Sequence, residues 1–221
     1  MSKPVRQIIR DKRQWHTPPD PAEEARGFHG WRSRGYLPHF DSPGLVQMIT
    51  YRLADALPAS RRHEWSALLE FEDEAEKRRQ IEIYLDRGFG ECHLRDERIA
   101  GIIQKNLLHF DGIHYRLLAW VVMPNHVHVL IEIWQAPLSK ILNCWKSFTA
   151  KEANRLLGRT GEFWQPEYFD RYIRDEEHLK KAMRYIENNP VKARLVHCAE
   201  EWPWSSAHHK RNRSAGSLPA S

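Results

Sequence analysis

Two small sets of residues in this chain have the types and spacing to do chemistry. The first is His126, Val127 and His128, inside the apolar stretch from Trp120 to Trp134. A strand alternates its side chains, so residues two apart share a face. The two imidazoles then point one way and Val127 points into the core. Neutral imidazole is a common ligand for divalent metals, and a pair on one rigid strand can hold a single cation. The second set is Tyr185 and Asn189, which on a helix lie one above the other. Taken singly these are ordinary residues: histidines on a polar strand face, a half-buried tyrosine, an asparagine before a proline. Brought into one pocket they become a site. Asn189 adds a neutral oxygen to complete a His, His, Asn set, with positions left open for substrate oxygens and water. Such a set suits Mg²⁺ or Mn²⁺ better than a closed thiolate site for zinc.

Tyr185 beside that cation is a nucleophile. A phenol with an ordinary pKa of about 10 needs help at neutral pH, from the metal's charge or from a neighbour such as Lys181 one turn earlier. The electrophile implied is a phosphodiester, attacked in line and exchanged for another phosphodiester, so the step is nearly thermoneutral and needs no ATP. No GxxxxGK[ST] run is present to bind one. Tyr168 and Tyr172 compete as nucleophiles, but each lacks an amide four residues on.

The positioning elements follow from pattern. The β-branched flanks of the histidines read as two strands meeting at Pro124-Asn125, the first of them Tyr115 to Val122. Leu45 to Leu53 reads as an earlier strand, and Phe163 to Ile173 as a strand interrupted at Pro166, hence an edge strand or a bulged one. Between them, a charged helix is expected from Ser60 to about Leu85, and a second one, capped by Asp96, carries Ile99, Ile102, Ile103 and Leu107. Pro137 starts a helix with Leu138, Ile141, Leu142, Trp145 and Phe148 as its buried stripe. Asp175 caps the final helix, Leu179, Ala182, Met183 and Ile186 form its stripe, and Pro190 is expected to stop it. That order predicts an α+β fold, a ferredoxin-like (split βαβ) antiparallel sheet with helices on one face and the other free to carry a site.

The chain has 221 residues, a net charge of +5, 34 Lys plus Arg and nine Trp, a mixture suited to a polyanion whose bases can stack. Residues 1–37, with eight Lys or Arg against four acidic residues, read as a basic arm. Trp31, Arg32, Arg34 and Tyr36 cluster there, arginine for phosphate and aromatics for bases, although a clamp folded over the domain's own sheet is an equal alternative. Lys140 and Lys151 on the polar side of the helix after the histidines are candidates to track phosphates. Residues 38–206 form the expected domain, and 207–221 a basic flexible tail with Lys210, Arg211 and Arg213. Three widely spaced cysteines without a CxxC pair indicate neither a disulfide framework nor a cysteine zinc site, and fit a reducing cytoplasm. No apolar run approaches the length of a membrane span.

VVMPNHVHVLI together with YIENNPVKARLV resembles the single-tyrosine HUH transposases of the insertion-sequence 200/605 type, and within them the REP-associated tyrosine transposases. The likeness extends through WQPEYFDRYIRD, over approximately residues 36 to 200. It implies that His126 and His128 bind the metal with Asn189, and that Tyr185 is the catalytic nucleophile. It further implies cleavage and rejoining of single-stranded DNA beside a palindromic hairpin through a 5′-phosphotyrosine link, by a monomer or a homodimer associated with the nucleoid. Two alternatives remain at this level: a hairpin-binding protein that has lost the chemistry, and a replication initiator or relaxase using the same chemistry.

Overall fold

The computed structural model of the chain describes residues 18–34 and 37–215. Its central sheet contains β3 (Leu45–Arg52), β4 (Tyr115–Val122), β5 (His126–Ile133) and β6 (Phe169–Tyr172), in the order β4-β5-β3-β6, with every neighbouring pair antiparallel. Helices α2 (Arg62–Leu69), α3 (Glu74–Asp86) and α4 (Glu97–His109) join β3 to β4, and α5 (Leu138–Leu157) joins β5 to β6. With β3 as the first strand of the unit, this is the split βαβ arrangement expected from the sequence. β6 lies at the edge, one of the two placements expected for it, but of the stretch from Phe163 to Ile173 only Phe169–Tyr172 forms the strand and Pro166 falls outside it.

The two faces of the sheet support separate cores. Val127, Val129, Ile131 and Ile133 of β5 pack with Ile99, Ile103 and Leu107 of α4 and with Leu138, Leu142 and Trp145 of α5. Leu130, from the alternate set, joins Val46, Ala119 and Val121 on the opposite face. That second core is closed by α6 (Glu176–Lys192), through Ala182 and Ile186. A register shift between Leu117 and Ala119 changes the phase of β4. Leu117 before it and Trp120 after it thereby face the same core. Helices therefore cover both faces rather than one, and the histidines lie on the face that α6 covers. Burying an apolar stripe of α6 against Val46, Val121 and Leu130 explains why that face is not left to solvent.

Other departures have local causes. The helix expected from Ser60 to Leu85 is two helices, because Asp73 interrupts it: its carboxylate accepts from Glu76 N at 2.9 Å and starts α3 as an N-cap does. Pro190 lies inside α6 instead of stopping it. A proline removes one N–H donor, yet the ladder resumes at once, with Ala193 N donating to Asn189 O at 2.9 Å. The helix ends where Arg194 turns left-handed, at φ 58°. Part of the basic arm is folded: α1 (Pro21–Ala25) leads to a hairpin of β1 (Gly30–Arg34) and β2 (Leu37–Asp41) whose Phe40 enters the core. Part of the expected tail is helical, α7 (Ser206–Ala215), held at the β4 edge by Ser206 Oγ, which accepts from Trp120 N at 3.3 Å.

Candidate functional site

His126 and His128 face the same way, fully buried, with their Nε2 atoms 3.1 Å apart. Each is fixed from behind. His126 Nδ1 meets Asn125 Oδ1 at 2.8 Å, while Asn125 Nδ2 donates to Phe89 O at 3.0 Å. A carbonyl oxygen only accepts, so Nδ1 carries the proton and Nε2 of His126 presents its lone pair. His128 Nδ1 lies 2.7 Å from Thr50 Oγ1, its cross-strand neighbour in the β3–β5 register. The hydroxyl can donate or accept there, so a proton can move between the two nitrogens of His128 without losing that partner. Both rings are neutral. Burial, with the charges of Lys192 and Arg52, holds His126 down to about 3, and burial beside His126 and Lys192 holds His128 well below the usual imidazole range.

α6 brings the second set to the first. The Tyr185 ring stands edge to face with His128, centroids 5.5 Å apart, and Asn189 Nδ2 donates to the Tyr185 hydroxyl at 3.1 Å. Asn189 is fully buried, and its Oδ1 has no hydrogen-bond partner. The four-residue spacing survives Pro190 because the helix runs through it. Among the described residues no group of three His, Cys, Asp or Glu side chains is placed to hold a metal ion. The unsatisfied amide oxygen of Asn189 and the two imidazoles are the neutral donors that these elements supply.

Three further side chains enter this site that sequence reasoning missed. Asp86 Oδ1, buried and without a hydrogen bond, is 4.0 Å from His126 Nε2, and Asp86 Oδ2 pairs with Lys192 at 3.1 Å. Lys192 also lies over the Tyr185 ring, 5.4 Å from its centroid. Glu82, one turn before Asp86 on α3, is within hydrogen-bonding reach of the Tyr185 hydroxyl. Burial first, then the carboxylates of Glu82 and Asp86, push the phenol well above its ordinary range. Burial likewise raises the carboxyls of Glu82 and Asp86, with Lys192 working against it for both. The available signal was the spacing of Glu82 and Asp86 beside Ile81 and Leu85, which puts both acids at the border of a packed stripe.

The remaining predicted residues lie elsewhere. Lys181 pairs with Glu177 at 2.7 Å and points to solvent, so Lys192 and not Lys181 is the cation beside the phenol. Lys140 and Lys151 belong to α5, which packs on the other side of the sheet from the histidines. Lys140 Nζ donates to Arg26 O at 3.2 Å, tying α5 to the end of α1. α5 thus lies on the face away from the histidines, since an apolar stripe fixes a helix on a sheet but does not say on which face. Lys210 pairs with Glu187 at 2.6 Å, and Arg211 and Arg213 are exposed on α7. The side chains of Arg32 and Arg34, and all of Tyr36, fall outside the described residues.

Residues 94–189 match the family described as "Transposase IS200 like", a span that contains His126, His128, Tyr185 and Asn189. A REP-associated tyrosine transposase of Escherichia coli K12 is 30% identical over 96 residues, 42% of this chain and 55% of the relative. A protein of Haemophilus influenzae named as a candidate REP-associated tyrosine transposase is 27% identical over 105 residues, 42% of this chain and 60% of the relative. The chain thus matches little more than half the length of these two relatives. A solved REP-associated tyrosine transposase bound to a REP hairpin shares the fold, with a TM-score of 0.51 at 18% identity, over 85% of this chain and 88% of that one. Among the described residues no helix is long and apolar enough to cross a membrane.

Proposed function

We propose that this chain is a metal-dependent endonuclease and strand transferase for single-stranded DNA, cleaving and rejoining it beside a palindromic hairpin through a 5′-phosphotyrosine link. The observation that carries the reading is the meeting of Tyr185 with His128, ring centroids 5.5 Å apart, beside the buried imidazole pair, with Asn189 holding the phenol through Nδ2 while its own Oδ1 is unsatisfied. His126, His128 and Asn189 would hold Mg²⁺ or Mn²⁺, and the donor set of two neutral imidazoles and one amide oxygen fits such a cation. When bound, the cation supplies positive charge against the charge developing on the scissile phosphate.

The protein's own groups handle the proton and the alignment. Asn189 Nδ2 donates to the Tyr185 oxygen at 3.1 Å and so fixes the lone pair that attacks. Glu82 accepts the phenolic proton, and its raised carboxyl pKa suits it to take that proton and return it. The Tyr185 oxygen forms the new bond to phosphorus, the bond to the 3′ oxygen breaks, and that oxygen leaves as a hydroxyl after receiving a proton. The ester formed resembles the ester lost, so the step runs in both directions. The likeness to REP-associated tyrosine transposases supports hairpin DNA as substrate and, with it, a place beside the nucleoid in the cytoplasm, as a monomer or homodimer.

The test is covalent capture. Purified protein with Mn²⁺ and stem-loop DNA carrying a single-stranded extension is expected to yield an adduct stable to denaturation, lost in Tyr185→Phe. An adduct that persists in Tyr185→Phe means another nucleophile. Tight binding with no adduct under Mg²⁺ or Mn²⁺ means a binding protein without the chemistry.

A further inference from the structure

Next to the histidine pair, between α3 and the edge strand β6, the sheet face opens into a cavity of about 230 Å³ lined by Met48, Thr50, Ile81, Glu82, Leu85, Phe169 and Asp170, with the exposed Arg79 and Arg171 completing its lining. We infer that this cavity seats one unpaired nucleobase of the DNA strand, the base next to the phosphate presented to Tyr185. The inference rests on the strand-cleaving reading of the site and adds to it a place where the strand is gripped.

Four observations support that occupant. The cavity is continuous with the site, because Thr50 lines it and also meets His128 Nδ1 at 2.7 Å. Met48, Ile81 and Leu85 give it apolar wall, and one side is aromatic: Phe169 is the cross-strand partner of Thr50 and so shares the histidines' face. The Phe169 ring is braced by the buried guanidinium of Arg52, 5.2 Å from its centroid, and edge-on by Trp65 at 6.1 Å. A braced ring is a better stacking platform than a mobile one, since less ordering remains to be done when a base arrives. Arg79 is 61% exposed although clasped by Glu76, and Arg171 stands on the same sheet face, opposite Met48. Exposed cations and a π surface inside match a nucleotide, whose phosphate stays in water while its base does not. Glu82 supplies a hydrogen-bond acceptor within, suited to an exocyclic amine or ring N–H. An enclosed base held beside the reacting phosphate also fixes which phosphate is attacked.

The experiment uses the full-length protein and stem-loop DNAs whose single-stranded extension is, in turn, all adenine, thymine, cytosine or guanine. The stem fixes the register, and each extension base is replaced one at a time by an abasic sugar. On the best-binding extension, one abasic position is expected to weaken binding roughly tenfold, as loss of one stacked base does. Phe169→Ala is expected to lose the same factor on intact DNA and nothing further on that abasic strand, while Phe169→Trp restores binding. Arg171→Ala should weaken all strands alike. Additive losses from Phe169→Ala and the abasic position, or a flat abasic profile, would overturn the cavity as a base seat. In either case a Tyr185-dependent adduct would leave the strand-cleaving reading standing, and its absence from the wild-type protein would remove that reading instead. A Phe169→Ala protein that does not fold is replaced by the abasic profile of Phe169→Leu, which keeps apolar volume without a π face and should lose the position-specific effect.

Discussion

Asn189 donates through Nδ2 to the Tyr185 hydroxyl at 3.1 Å while its own Oδ1, fully buried, meets nothing. An unsatisfied buried amide oxygen costs free energy, about 1–3 kcal/mol, unless something completes it. On the proposed reading the same side chain would have two tasks, holding the nucleophile with one end and offering a ligand with the other. Asn189→Ala is expected to lower Mn²⁺ affinity by more than the roughly 10–100-fold typical of an outer partner, and to lower adduct formation as well. Calorimetric titration with Mn²⁺ checks the first, and unchanged affinity would remove Asn189 from the ligand set.

Thr50 makes no contact with a cation in this reading, yet it meets His128 Nδ1 at 2.7 Å. In the metal-free pair, the lone pair of His126 Nε2 is best matched by a proton on His128 Nε2. Freeing His128 Nε2 as a ligand moves that proton to Nδ1, where the Thr50 oxygen accepts it. Thr50→Val keeps the shape and removes the acceptor. Mn²⁺ affinity should fall by about 10–100-fold with the fold intact, whereas Thr50→Ser should retain it.

Much of this architecture was legible in the sequence, and the missing part has a common cause. The strands of the histidine hairpin, the Asp96 and Asp175 caps and the pairing of Tyr185 with Asn189 depend on neighbours within a few residues. The side of the sheet taken by α5 and α6 depends on which strand residues their stripes meet, and that is settled only in three dimensions. Glu82 and Asp86 were hidden in the same way. They sit in a strongly charged helix whose acids mostly face water, and only packing against α6 singles out these two. Lys192 lies beyond a proline that was expected to end the helix, so it was not considered as a neighbour of Tyr185.

Acid should destabilise the metal-free protein through the histidines. Burial holds His126 down to about 3 in the folded chain, against 6.5 ordinarily. Between those values the unfolded chain carries a proton that the folded one refuses, so stability is full above pH 6.5 and is lost as pH falls towards 3. The slope is at most about 1.4 kcal/mol per pH unit for each such histidine. Urea midpoints measured with a chelator at several pH values check this. His126→Gln should flatten the slope, and a wild-type midpoint indifferent to pH over that window would mean the ring is charged when folded.

The helix that delivers Tyr185 is started by Asp175, whose carboxylate accepts from His178 N at 2.7 Å. Removing the cap leaves donors of the first turn unmet at the end where α6 begins. Asp175→Ala is expected to cost about 1 kcal/mol of stability, while Asp175→Ser recovers most of it. Denaturant unfolding followed by circular dichroism reads the difference, and equal midpoints for the two variants would show that the cap adds nothing.

Lys192 joins three parts of the site. It pairs with Asp86 at 3.1 Å, lies 5.4 Å from the Tyr185 ring centroid and contributes to keeping both histidines neutral. Taking its charge away strands the Asp86 carboxylate beside His126 in a buried place, where it must either ionise unpaired or hold a proton. Lys192→Met should therefore destabilise the protein at neutral pH by about 1.5–3 kcal/mol, the range for hydrogen bonds to charged groups. The loss should shrink on acidification, because a protonated Asp86 no longer misses its partner. Asp86→Asn in the same protein should relieve most of the cost, since the stranded charge is then gone. Losses that simply add in the double variant would mean that Lys192 and Asp86 act independently, and that the link between α3 and α6 at the site is not this ion pair.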